Sequence, residues 1–295
     1  MHITPHWLLE KLPDMDGQQF RQWQALLELR TGVCVSAERQ TYLQTSLGTR
    51  MRDLGIRDYQ TYYEHVTEGI SGALEWSALV ECLTVRETSF MRHRASFDCV
   101  ARVLRERLKQ PEAMTRPLQL WSVGCASGEE AYSLAMVVEQ ALKEAGQQRR
   151  DYGIWATDIS QHALDQARKG QYPPRRLGGL TDAEIHQWLT QLPDGQYQVA
   201  PALHERVCFT RLNILELAQA PIRDLDIIFC QNLLIYFRRW RRRELLNQLA
   251  KRLAPGGMLV IGSGEIMDWD NPLLEPVADD RVQAYKRREC MECLE

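Results

Sequence analysis

The sequence predicts an α/β protein: a doubly wound, mostly parallel sheet preceded by an all-helical segment. Three observations carry this. From Pro117 onward, short apolar runs alternate with amphipathic stretches joined by short links. One run, "LDIIFCQN", is apolar almost throughout, as a strand is when helices cover both faces of its sheet. Before residue 86 there is only helical spacing and no strand-like alternation.

The elements follow in order. "FRQWQALLELR" sets Phe20, Trp23, Leu26, Leu27 and Arg30 three and four residues apart, and Gly32 ends that helix. "AERQTYLQTSLGTRMRDLG" repeats the pattern and stops at Gly55; "DYQTYYEHVTEG" and "ALEWSALVECLTV" are shorter helical pieces. "ASFDCVARVLRERLKQP" reads as a helix closed by Pro111. Strands are expected at "PLQLWSVG", "DYGIWATD", "RVCFTRLN", "LDIIFCQN", "MLVIGSGE" and "RVQAYKRR". Helices are expected between them at "EEAYSLAMVVEQALKEAG", "ISQHALDQARKG" and "RRRELLNQLAKRLAPGG", the last followed by a turn. One segment, about 178–206, breaks the alternation. Its "PDG" before "QYQV" suggests a turn into a short strand, hence a small β-hairpin insertion or an ordinary long connection. The expected domains are residues 1–85, helical, and 86–295, the sheet.

Composition narrows the functions. The chain has 295 residues and a formal net charge of −3, which argues against binding nucleic acid through phosphate neutralisation. The run "RRWRRR" at 238–243 reads as a solvated face at a helix start. The first residues lack a signal-peptide pattern, and no apolar stretch reaches the ~18 residues of a membrane span. A cytoplasmic protein without membrane insertion is expected. The eight cysteines show no disulfide or zinc framework. Cys34, Cys82, Cys99, Cys208 and Cys230 read as small reduced core groups. The terminal "CMEC" (Cys290, Cys293) lacks the other two ligands of a zinc site, so no metal is expected.

The chemistry centres on "WSVGCASGEE", residues 121–130. In an open parallel sheet the first strand-to-helix loop faces the ligand. No Lys-Ser/Thr follows the glycines, so this is no Walker loop; no third glycine completes a dinucleotide fingerprint. Glu129 and Glu130 at the helix start would repel a pyrophosphate. They suit a ligand with cationic groups and no phosphate, such as S-adenosylmethionine, or simply cap the helix. Asp158 ends the second strand about 30 residues after the loop, placed to accept ribose hydroxyls or to cap the next helix. Gln231 and Asn232 follow a buried strand, where amides face a ligand more readily than a core. Tyr236 comes four residues later.

Five motifs, "VRETSFMRH", "WSVGCASGEEAYSLAM", "WATDIS", "FCQNLLIYF" and "LAPGGMLVIGSGE", occur in the order and spacing found in the CheR-type chemoreceptor methyltransferases. The chain resembles that family over residues 18–288, and within it most resembles the PilK-type members associated with type IV pili. The resemblance implies a helical domain and a Rossmann-like S-adenosylmethionine-dependent methyltransferase sheet with a β-subdomain at the irregular insertion. It implies transfer of methyl groups to glutamate carboxylates on the cytoplasmic helical bundle of chemoreceptors, by a monomer. It places Thr88 and Arg92 at the cofactor and active site. It places Gly124 and Glu129 against the cofactor, Asp158 on the ribose, and Asn213, Ile214, Gln231 and Asn232 near the adenine. Arg86 and Gln231 depart from the Asn and Arg common in the family, so Gln231 is expected to contribute backbone.

A carboxylate acceptor with a reference pKa of ~4.3 is ionised at pH 7, so the reaction needs no general base. His93 is therefore left out. Arg92 is the expected holder of the acceptor carboxylate, with Tyr236 as a second orienting group. Two other readings compete: a nucleotide-dependent oxidoreductase, which Glu129 disfavours, and a non-catalytic S-adenosylmethionine-binding sensor or scaffold. "QLPDGQYQV", residues 191–199, leaves little chain for a peptide-cradling loop. Receptor binding is expected to use the helical domain instead, where Arg39, Arg50, Arg52 and Arg57 read equally as contacts for acidic receptor helices or as a solvated face.

Overall fold

A computed structural model describes residues 14–84, 87–109 and 116–289. The chain forms two compact units: Met1–Val85 with Tyr236–Arg238, and Arg86–Ile235 with Arg239–Glu295.

Among the described residues of the first unit the α-helices run as α1 (Gly17–Thr31), α2 (Gln40–Leu54), α3 (Tyr59–Thr67) and α4 (Gly69–Leu83). Asp16 and Gln19 form a capping box at the start of α1. Gly32 and Gly55 end α1 and α2 in the left-handed conformation that glycine adopts at least cost. The predicted apolar stripe of α1 is buried, and Trp23 stacks on Tyr62 at 5.3 Å and meets the edge of Tyr63 at 5.2 Å. Buried Glu75 receives the Arg50 guanidinium through both oxygens (2.9 and 2.7 Å) and the Tyr62 hydroxyl at 2.7 Å. Arg50 also binds Asp53, so it is committed within its own unit.

The second unit runs α5 (Arg94–Leu108), β1 (Leu118–Val123), α6 (Glu129–Glu144), β2 (Tyr152–Asp158), α7 (Gln161–Lys169) and β3 (Gln171–Tyr172). It continues through α8 (Asp182–Trp188), β4 (Leu189–Gln191), β5 (Tyr197–Val199), α9 (Pro201–His204), β6 (Val207–Arg211) and β7 (Leu225–Cys230). The last elements are α10 (Arg239–Ala250), β8 (Leu253–Ile261), β9 (Leu274–Pro276) and β10 (Gln283–Arg287). The large sheet has the order β6-β2-β1-β7-β8-β10-β9. The first five strands are parallel, and β10 and β9 close the far edge antiparallel. Strand order reverses between β1 and β7, so a crevice opens at the carboxyl ends of those two strands. The core of this unit joins α5 and α6 to the sheet, with Phe97 stacked on Phe229 at 4.8 Å.

Several sequence expectations are corrected here. "LAPGG" is no free turn but the start of β8, whose pairing with β7 slips between Leu225 and Ile227. Gly256 takes the positive φ of 71° that this irregularity needs. The insertion does contain a hairpin, β4–β5, turning at Gly195. It also contains α8, and its three-stranded sheet (β3-β5-β4) begins upstream at Gln171 rather than near 178. β9 was not foreseen. Cys208 lies exposed on edge strand β6, and Cys34 and Cys82 are only half-buried; Cys99 and Cys230 are in the core. The terminal "CMEC", Arg86 and Pro111 lie outside the described residues. Among the described residues no group of three or more His, Cys, Asp or Glu is arranged to hold a metal, and no helix is long and apolar enough to cross a membrane.

Candidate functional site

The crevice is built from loops after β1, β2, β7 and β8, together with the segment before α5. The loop after β1 is shaped by backbone constraints. Gly124 (φ 75°) and Gly128 (φ 94°) both take left-handed conformations. A Cβ at Gly128 would come within 2.8 Å of the Ala167 side chain and 3.0 Å of the Tyr172 hydroxyl. Both positions therefore require glycine. The amides of Gly124 and Cys125 donate to the Thr157 carbonyl at the end of β2, and the Tyr172 hydroxyl donates to Ser127 O at 2.6 Å.

Asp158 ties two loops together. One carboxylate oxygen accepts from the Ala126 amide at 2.9 Å, inside the glycine loop; the other accepts from the Ser160 amide at 2.9 Å. The cap of α7 itself is Ser160, whose hydroxyl accepts from Ala163. Asp158 thus faces the glycine loop instead of capping α7.

Three further carboxyl groups converge on this end of the sheet. Glu129 is fully buried at the first position of α6; Oε2 accepts from Ser127 Oγ at 2.8 Å. Its Oε1 has no hydrogen-bond partner among the described residues, and Arg176 stands 3.5 Å away. Burial raises its carboxyl pKa, against the pull of the Ser127 hydroxyl. Glu130 accepts from Ser122 Oγ at 2.6 Å. Burial pushes its carboxyl up to about 8, the Ser122 hydroxyl opposing, Glu265 adding to the rise and Arg92 resisting it. Glu265, 3% exposed, is raised by burial as well. Among the described residues Glu129 and Glu265 each keep one oxygen without a hydrogen-bond partner, which favours a ligand that brings donors or positive charge.

The segment before α5 is held from three sides. The Met91 amide donates to Ser133 Oγ at 3.0 Å, the Phe90 amide to Arg176 O at 2.9 Å, and Arg176 donates to the Thr88 carbonyl. Arg176 therefore joins Thr88 to Glu129. Sequence reasoning missed it, because its partners lie 88 and 47 residues away and "PPRR" carries no local signal. Arg92 is exposed and donates to Glu87 O at 2.7 Å.

Asn232 adopts a left-handed conformation (φ 58°), and its Oδ1 pairs with His93 Nε2 at 3.1 Å. Gln231 departs from the expectation that its amide faces a ligand. The side chain turns inward, donating to Ser96 Oγ at 2.7 Å and Ile261 O at 3.2 Å, which leaves its backbone toward the crevice end of β7. Asn213 caps a 3-10 turn (Ile214–Gln219) by accepting from the Leu215 amide at 3.1 Å, and Ile214 is buried. Tyr236 ends a 3-10 turn (Leu234–Tyr236) and belongs to the helical unit, where its carbonyl accepts from the Cys34 amide at 2.8 Å. Thr88, Arg92, Gly124, Glu129, Asp158, Asn213, Ile214, Gln231 and Asn232 all lie in the second unit.

Residues 86–282 match the CheR methyltransferase, SAM binding domain, and residues 18–84 the CheR methyltransferase, all-alpha domain. Chemotaxis protein methyltransferase 1 of Pseudomonas aeruginosa is 30% identical over 252 residues, 84% of this chain and 90% of that protein. The chemotaxis protein methyltransferase of Klebsiella aerogenes is 30% identical over 263 residues, covering 88% and 86%. Among solved structures, magnesium protoporphyrin IX methyltransferase from Synechocystis aligns with a TM-score of 0.36 at 13% identity, over 76% of this chain and 89% of that one. That likeness is too distant to bear on function. With both units matched, the chain belongs to the CheR family of S-adenosylmethionine-dependent methyltransferases.

Proposed function

We propose that this protein, in the cytoplasm, methylates glutamate side chains on the helical bundle of a chemoreceptor. The observation that carries the reading is the two-part match to the CheR family, with relatives named chemotaxis protein methyltransferases aligned over most of the chain.

The site fits S-adenosylmethionine. Buried Glu129 Oε1 has no hydrogen-bond partner among the described residues, two glycines keep the loop backbone bare, and carboxyl groups surround a place suited to cationic groups. In this reading Gly124 and Glu129 take the amino-acid end, and Asp158 the ribose. Asn213, Ile214 and the Gln231–Asn232 backbone border the adenine, and Thr88 stands beside them. When bound, the cofactor supplies a methyl group on a sulfonium that is already a good leaving group.

The chain's own residues then have three tasks. Arg92 releases Glu87 O and orients the acceptor carboxylate, because a guanidinium grips both oxygens. Tyr236 is the second orienting group. No residue needs to remove a proton, and His93, engaged with Asn232, serves the loop rather than the chemistry. Alignment away from bulk water supplies the acceleration, a source worth up to ~7–11 kcal/mol.

For receptor docking, Arg39, Arg52 and Arg57 of the helical unit meet acidic helices, while Arg50 is taken by Glu75 and Asp53. The single glycine of the β4–β5 turn leaves no long peptide-binding loop. Affinity for a receptor fragment should fall with salt and survive removal of the receptor's last residues. Loss on trimming, with no salt effect, would move docking to the hairpin. The decisive assay incubates the protein with labelled S-adenosylmethionine and a receptor cytoplasmic fragment and looks for base-labile label. Cofactor binding without transfer would leave a sensor.

A further inference from the structure

We propose that Arg242 and Glu265 are positioning residues for methyl transfer, a paired clamp that fixes the loop after β7 against the loop after β8. This rests on reading the crevice as the place of transfer.

The clamp works from both charges. Arg242, on α10, donates through Nη1 to Glu265 O at 2.7 Å and through Nη2 to Ile235 O at 3.2 Å. One guanidinium thus takes a carbonyl from each loop. The Glu265 carboxyl does the converse with amides. Its Oε2 accepts from Gly262 N at 3.0 Å, and the amides of Asn232 and Ile235 lie near enough to lower a carboxyl pKa that burial raises. Oε1 is buried and without a hydrogen-bond partner among the described residues. At Gly262 a Cβ would come within 2.6 Å of the Glu265 carboxyl carbon, so any side chain there would push the Glu265 carboxyl off the Gly262 amide. Between the two grips sits Asn232, a non-glycine residue at φ 58°. Such a conformation persists only where its surroundings impose it. The arginine run 238–243 is thereby explained in part. Arg242 binds these carbonyls, Arg239 and Arg243 bind Asp268 of the second loop, and Arg241 stacks over Trp240. The run is solvated at Arg238, Arg239 and Trp240, as expected, and also fastens the loops that border the acceptor.

The test compares wild type with Glu265→Gln, Arg242→Met, Arg242→Lys and the Glu265→Gln/Arg242→Met pair. Hydrogen exchange of residues 231–235 is followed without cofactor. S-adenosylhomocysteine affinity is measured by calorimetry, and kcat and KM with a receptor fragment. Either single change should speed exchange in that segment by roughly tenfold, with β7 itself unchanged and little further gain in the double variant. Turnover should fall by roughly 10- to 100-fold, while S-adenosylhomocysteine affinity stays within about threefold. Arg242→Lys should not rescue kcat, since one ammonium cannot span both carbonyls as the planar fork does. Unchanged exchange in 231–235, acceleration spread equally through β7 and β8, or equal losses of affinity and turnover would overturn the clamp. A wild-type protein that binds no S-adenosylhomocysteine would overturn the underlying reading instead, and exchange would still judge the clamp.

Discussion

The two ends of the same sheet treat buried carboxylates in opposite ways. At the amino end of β7, Asp226 is 2% exposed and fully paired. Arg107 reaches it at 2.6 Å, Arg116 at 2.8 and 3.1 Å, and the Gln119 amide at 2.8 Å. At the carboxyl end, Glu129 and Glu265 are as deeply buried, yet among the described residues each keeps one oxygen without a hydrogen-bond partner. A buried charge that exists for stability is surrounded by its partners. In the proposed reading Glu129 is left short of partners for a ligand and Glu265 is spent on holding two loops, so stability is given up locally for the site.

The sharpest way to break this contrast is Asp226→Ala. It should cost ~2–3 kcal/mol of unfolding free energy, less than the ~3–5 kcal/mol of a fully enclosed pair because Arg107 and Arg116 are partly solvated. Denaturant unfolding measures the cost, and S-adenosylhomocysteine affinity of the folded fraction should not change. A variant as stable as wild type would mean that both ends are equally dispensable.

Asp158→Ala should do the reverse. Cofactor affinity should weaken by ~1.5–3 kcal/mol, the range for hydrogen bonds to a charged group, with a smaller loss of stability from the freed Ala126 amide. Calorimetry giving unchanged affinity would remove Asp158 from the ligand. Arg92→Ala should lower turnover by roughly tenfold or more, with cofactor affinity nearly intact. Equal losses would place Arg92 on the cofactor.

A further effect is a slope. With the Glu130 carboxyl at about 8 in the folded chain, the native state holds a proton that the unfolded chain has already released above its ordinary value of 4.5. The group's contribution is complete below about pH 4.5 and disappears as pH rises through about 8. Urea midpoints of cofactor-free wild type should therefore decline across that window more steeply than those of Glu130→Gln. Parallel lines would show that Glu130 titrates alike in both states.

Much of this was legible in the sequence, for local reasons. The helix stops at Gly32 and Gly55, the bare loop 124–128 and the acid at the end of β2 each depend on one residue's conformational preference or on strand spacing. What escaped depends on partners far along the chain. β9 and β3 are three- and two-residue strands defined only by the neighbours they pair with. Arg176 gains its role from loops around residues 88 and 129, and the inward turn of Gln231 from Ser96. The partners of Arg242 and Arg243 escaped because the carbonyls they bind belong to loops with no pattern of their own.

Two cysteines sit at the crevice: Cys125 within the glycine loop and Cys230 at the end of β7, both buried. Burial, reinforced by neighbouring carboxylates, pushes both thiols well above their usual range. Only a thiolate is a strong nucleophile. An enzyme that handles an alkylating agent risks alkylating itself, and here burial, with the neighbouring carboxylates adding to it, keeps these two sulfurs protonated and inert. Prolonged incubation with S-adenosylmethionine should leave the intact mass of the protein unchanged; methylation at Cys125 or Cys230 would show that this protection against self-inactivation fails.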